Sequence, residues 1–248
     1  MPSRWWVPVM HPRPESVRLE HVHAAISRWF DLEQGEHNAI AKPYALSPLG
    51  HSPFDKTLGL EVGVLSDQAL ERLTGTDRPR SIRLGREHCP VGQPSRLLDE
   101  TWESLAEPSG RTSWELEMLT PATFRRGDRS SPLPIPSTVL RGLAQSWDAY
   151  SPIARTDLTA AQRDAVWVSD LDGRSERVKV SGTQLSGFVG RVRFRIDDRS
   201  IADAVDPLFR LAPFAGVGSA RAKGLGVARL TSEGTRRPNP RSTRGSNR

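Results

Sequence analysis

Residues 58–75, LGLEVGVLSDQALERLTG, hold a strand and a helix end to end. Leu58–Leu65 is a short apolar run of strand length, while the following segment opens on Asp67 as a cap and closes on Gly75, the signature of a short helix. Upstream, Arg4–Met10 (RWWVPVM) is apolar enough for a first strand, with Pro8 marking an edge or a bend. In ESVRLEHVHAAISRWF (15–30) the apolar Val22, Ile26, Trp29 and Phe30 recur at helical spacing, leaving Glu20, His23, Ser27 and Asp31 on another face. A polar stretch containing His37 follows, then strand-like Tyr44–Leu49. Ser81–Leu84 and Trp114–Leu119 are further strand candidates. The resulting order, β-α-β-β-α-β, is ferredoxin-like.

Downstream the plan repeats. A helix begins near Ser137 with Val139, Leu140, Leu143 and Trp147 on one side, Arg174–Val180 and Phe188–Ile196 form a strand pair, and a helix from about Ser200 runs through Pro207. A glycine-rich loop then leads into a last short strand. The predicted class is α+β, two tandem ferredoxin-like (RRM-like, βαββαβ) halves at 1–105 and 106–230, followed by a basic tail at 231–248 that is too polar to bury a core.

Composition narrows the function. With 248 residues, 36% of them hydrophobic, the chain has material for a core, and its one cysteine excludes an internal disulfide and a thiolate zinc cage. No apolar run approaches the roughly 18 residues of a membrane span, and the start, MPSRWWVPVMHPRP, is too short in apolar residues for a secretory leader; the expected compartment is the cytoplasm. The net charge is +6, but the last 18 residues hold five arginines and one glutamate, so the body is nearly balanced. Overall charge is therefore a weak argument for nucleic acid, and the placement of the body's arginines matters more.

Three features carry candidate chemistry. In GFVGRVRFRID (187–197) Phe188, Val192, Phe194 and Ile196 alternate with Arg191, Arg193 and Arg195, which predicts a basic sheet face joined by Arg177 and Lys179 of the preceding strand. Gly216, Gly218, Gly224 and Gly226 follow a helix and open a strand, the reverse of a dinucleotide fingerprint. They predict a backbone that a large ligand approaches closely, with Arg221 and Lys223 at the crest. All six histidines lie in the first 88 residues, and none has the spacing of a metal site. His37 is the sharpest candidate, in a polar loop with Lys42, Tyr44 and Ser47 close behind.

Four segments, GEHNAIAKPYALSPL (35–49), LTPATFRRGDRSSPLPIPSTVLRGLAQSW (119–147), GFVGRVRFRI (187–196) and FAGVGSARAKGLGVARL (214–230), resemble in order and spacing the CRISPR repeat-processing endoribonucleases, a branch of the RAMP proteins. The resemblance implies two ferredoxin-like halves, RNA as partner, and one cut per CRISPR repeat without a metal ion or other cofactor. It implies His37 as general base or acid, Lys42 as a stabiliser of the charged intermediate, and the hairpin ATFRRGDRSSPLP as the stem reader through Arg125, Arg126 and Arg129. Arg191, Arg193 and the glycine loop join them in binding the repeat stem-loop. Other subunits of a CRISPR surveillance complex are further implied partners, and a non-catalytic RAMP subunit holding guide RNA is the alternative. One departure stands out: where several members have a tyrosine on the first helix, this chain has Ile26, leaving His23 or Ser27 as substitutes, or His37 acting with only a cation beside it.

Overall fold

The computed structural model describes residues 1–31, 39, 41–52 and 54–231. His37 and the basic tail beyond Thr231 lie outside the described residues. The N-terminal half runs β1 (Ser3–Pro8), α1 (Leu19–Phe30), β2 (Tyr44–Leu46), β3 (Gly50–His51), β4 (Leu58–Val64), α2 (Asp67–Thr74), β5 (Ser81–Leu84), β6 (Glu87–Pro90) and β7 (Ser95–Asp99). After α3 (Trp102–Ala106) come β8 (Ser113–Ala122), the hairpin β9 (Phe124–Arg126) and β10 (Arg129–Ser131), α4 (Pro136–Tyr150), α5 (Ala160–Asp164), β11 (Trp167–Val180), β12 (Thr183–Arg195), α6 (Arg199–Ala215) and β13 (Ala228–Thr231).

The two main antiparallel sheets have the same plan. The first is ordered β2-β4-β1-β7 and the second β11-β12-β8-β13, so in each the first and third strands are central and the second and fourth lie at the edges. That is the ferredoxin-like order. Each half has its own core. Val22, Ile26 and Phe30 of α1 pack with Leu60, Val62 and Val64 of β4 in the first. In the second, Leu140, Leu143 and Trp147 of α4 meet Val192 and Phe194 of β12 and Phe209 of α6. α3 contributes Trp102 and Leu105 to the second core. No helix among the described residues is long and apolar enough to cross a membrane.

Three local expectations are corrected. The cap of α2 is Ser66, whose side chain accepts from the Ala69 N–H, with Asp67 one position inside the helix. Ser81–Leu84 does not join the main sheet but pairs with β6 as a separate hairpin, and β7 supplies the fourth strand. The basic face of β12 is not an unrelieved patch. Pairing brings Glu117 and Asp172 opposite Arg191, and Glu115 and Asp170 opposite Arg193. The Arg193–Glu115 ion pair measures 2.6 Å and Arg191–Glu117 3.5 Å. Arg177 and Lys179 face Ser186 and Gln184, towards the far end of the hairpin from Arg193.

The halves meet sheet to helix end and sheet to sheet. A Cβ at Gly63 would stand 2.0 Å from the Phe214 carbonyl oxygen, so the last turn of α6 lies directly on β4. Beside it Glu61 of β4 takes Arg4 of β1 at 3.1 Å and Arg229 of β13 at 2.6 Å, while the Arg4 guanidinium also donates to the Ala228 carbonyl at 3.2 Å.

Candidate active site

The polar face of α1 turns into a cleft between the halves. His23 Nδ1 lies 2.8 Å from the Ala222 carbonyl of the glycine loop. Because a carbonyl only accepts, the proton of neutral His23 sits on Nδ1 and the lone pair on Nε2. One turn further along, Ser27 Oγ is 3.3 Å from His23 Nδ1 and 3.3 Å from the Tyr44 hydroxyl. Tyr44 donates to Asp31 Oδ2 at 3.2 Å, and Lys42 Nζ donates to the same oxygen at 2.7 Å. Spacings of four residues place His23, Ser27 and Asp31 on one helix face, and β2 brings Tyr44 against it.

Burial sets the protonation of these groups. Loss of hydration lowers the His23 imidazole below its ordinary value, with Lys223 adding to the effect, so the neutral ring prevails at pH 7. Burial also raises the Tyr44 phenol well above its usual range and keeps it a hydrogen-bond donor. The Asp31 side chain is 1% exposed and Lys42 12%, so Lys42 forms the floor of the cleft together with its carboxylate partner.

The cleft encloses about 570 Å³. His23, Lys42 and Tyr44 line it from the N-terminal half, and Arg125 of β9, Arg141 of α4 and Lys223 of the glycine loop from the C-terminal half. Tyr150, at the end of α4, donates to the Ala41 carbonyl at 2.5 Å and ties the segment before Lys42 to the second half. Arg141 is a site residue that the sequence reading missed. Its signal was there in the spacing Thr138, Arg141, Gln145, a polar stripe opposite the apolar face of α4.

The glycine loop differs from the expected open cradle. Gly216, Gly218, Gly224 and Gly226 have φ of 70°, 84°, 91° and 66°, a region glycine enters without penalty. Many of the loop's N–H groups are already used: Val217 donates to Gly226 O, Ser219 to Thr123 O and Gly226 to Pro121 O at 2.7–3.1 Å. Arg221 is not at a crest. Its guanidinium turns inward to Ser146 Oγ at 2.6 Å and the Ala215 carbonyl at the end of α6 at 3.2 Å, and burial pushes its pKa down to about 10. Arg221 thus fastens the loop from the wall of the cleft, which it lines together with Lys223.

The remaining predicted residues divide. Arg125 reaches the cleft, while Arg126 and Arg129 pair across β9 and β10 at the outer end of the same hairpin, both exposed. Arg191 and Arg193 sit in the ion pairs of the sheet face and do not line the cleft.

A family model, CRISPR-associated endoribonuclease Cas6, matches residues 116–228. Among solved structures, a Thermus thermophilus Cas6 product complex is similar at 27% identity and TM-score 0.75, covering 93% of this chain and 99% of the other. A second Cas6 product complex gives 22% identity and TM-score 0.74 over 94% of this chain and 100% of the other. A Cas6-related protein from Pyrococcus furiosus, at 10% identity, gives TM-score 0.62 over 94% and 100%. The curated proteins hold no match. The chain is thus similar to the CRISPR-associated endoribonuclease Cas6, by the family model over its C-terminal half and by fold along nearly its whole length.

Proposed function

We propose that this chain cuts CRISPR precursor RNA once per repeat, without a metal ion, using the substrate's own 2'-hydroxyl as nucleophile. The oxygen attacks the adjacent phosphorus, the P–O5' bond breaks, and the products are a 2',3'-cyclic phosphate and a 5'-hydroxyl. Such a reaction asks the protein for alignment, two proton transfers and neutralisation of the phosphorane. The observation that carries the reading is His23, held neutral with its Nδ1 proton on Ala222 and its Nε2 lone pair available, in a cleft lined by Arg125, Arg141 and Lys223. His23 accepts the 2'-hydroxyl proton, His37 protonates the leaving 5' oxygen, and the three cations meet the phosphate. Lys42 acts beneath them by holding Asp31 and, through it, Tyr44.

The relatives solved as product and substrate-mimic complexes support RNA as the substrate. Arg125, Arg126 and Arg129 are the stem contacts in this reading. A-form RNA hides its base edges in a deep, narrow groove, so they sense stem shape and backbone.

A labelled repeat transcript tests the reading. His37→Ala is expected to bind it and leave it uncut, and wild-type cutting is expected to persist in EDTA. Undiminished cutting by His37→Ala rejects the assignment of that residue. Binding without any cutting by wild type supports a guide-holding RAMP subunit instead.

A further inference from the structure

The body's arginines separate into those with carboxylate partners and those without. Among the described arginines without a carboxylate partner, Arg80, Arg83 and Arg86 stand together, all three exposed on or beside the β5–β6 hairpin. Ile82, Leu84 and Cys89 on the hairpin's other face are buried in the first core. On the exposed face Arg83 stands directly across from His88. The hairpin's one acid, Glu87, is taken by Arg13 at 3.0 Å. With that acid taken, Arg83 and Arg86 are left without a local carboxylate on the exposed face.

The hairpin's position gives the charge a use. A Cβ at Gly85, in its turn, would lie 3.2 Å from His21 Nδ1, so the hairpin abuts α1 on the side away from the cleft. At 100° per residue the order around α1 from the cleft to the hairpin is His23, Ser27, Glu20, Ala24, Arg28 and His21. Of these, Ala24 and Arg28, towards the hairpin, are exposed, one small and one cationic. The one acid on that arc, Glu20, accepts from the Ser181 N–H at 3.2 Å at the N-terminal end of the helix. The route is convex and about 10–12 Å wide, which a flexible strand follows and a stiff duplex does not.

We propose that the β5–β6 hairpin is a second RNA-binding surface, which holds the single-stranded flank of the repeat after it leaves the cleft and crosses α1. Arg83 and Arg86 contact its phosphates. Arg83 donates Nε to the Gly85 carbonyl at 3.1 Å, which fixes its guanidinium over the turn. The inference rests on the RNA-processing reading and extends it from the stem to the flank.

The test uses the full chain and a double variant, Arg83→Gln with Arg86→Gln, whose melting curve is compared with wild type. Two labelled RNAs are titrated over a salt series: the repeat hairpin with its single-stranded flanks, and the bare hairpin. The variant is expected to lose about tenfold in affinity for the flanked RNA, with a log–log salt slope shallower by about 1.4 for two lost phosphate contacts, and to bind the bare hairpin as wild type does. Equal affinity of variant and wild type for flanked RNA overturns the proposal. An equal loss on both RNAs also overturns it, since the arginines would then serve the stem. Wild type that binds neither RNA overturns the RNA-processing reading and this surface with it, a result separable from failure of the hairpin alone.

Discussion

In the proposed reaction His23 is the residue on which the chemistry turns, because its ring is tied to the opposite half of the molecule and burial favours its neutral form. Removing a positioned general base costs roughly 10²–10⁴-fold in rate, so His23→Ala is expected to fall in that range under single turnover while still binding the repeat. The pH dependence follows from the lowered pKa. The base is active when unprotonated, so the acid limb of the rate, where His23 gains its proton, is expected to have its midpoint below the ordinary histidine value of 6.5. A single-turnover pH profile checks this, and an acid limb with its midpoint above 6.5 would assign that limb to another group. The face that carries His23 was legible in the sequence, because Glu20, His23, Ser27 and Asp31 fall at helical spacing opposite an apolar stripe. Its partners were not. Ala222 lies 199 positions away, and no local pattern identifies a carbonyl as the group that sets a histidine's tautomer.

The glycine loop and the strands show where a sequence pattern determines an element and where it does not. Alternation in β12 correctly divided core from solvent-facing residues, yet the acids that neutralise Arg191 and Arg193 come from β8 and β11. Period two sets a face but says nothing about which strand lies alongside. Ser95–Asp99 was missed as a strand because SRLLD has neither alternation nor β-branched residues, as suits an exposed edge. The four glycines were legible as a special backbone, but their close approach is to the protein itself. A Cβ at Gly226 would stand 1.8 Å from the Val217 carbonyl oxygen, at a φ of 66°. Gly226→Ala is therefore expected to cost about 2 kcal/mol or more, read as a lower denaturant midpoint. It should also slow cutting, since the same loop presents Ala222 to His23.

At the scale of the whole molecule, the halves are held by a buried ionic centre and an α6 end seated on a glycine. Breaking a buried ion pair by removing one partner costs about 3 kcal/mol or more. Glu61→Gln, which leaves Arg4 and Arg229 facing each other without an anion, is expected to lose that much in chemical denaturation. A melting transition unchanged from wild type would show that the centre adds nothing to stability. The tail enters at this scale too. Thr231 still belongs to β13, with its hydroxyl 3.1 Å from the Glu115 carbonyl, so a truncation that spares the fold removes residues 232–248. With five arginines and one glutamate gone, binding should weaken modestly and become less salt-sensitive, while cutting by bound enzyme stays intact.

If His23 is the base, its contact with Ala222 has a further consequence for how this chain accumulates change. A base whose tautomer is set by the other half reports on the alignment of the two halves. A shift of about 1 Å between them is enough to weaken the hydrogen bond while both cores stay folded. Substitutions scattered along the seam, far from any RNA, should therefore lower the turnover rate before they lower the melting temperature. Second-site changes that restore alignment should recover the rate from the opposite half of the chain.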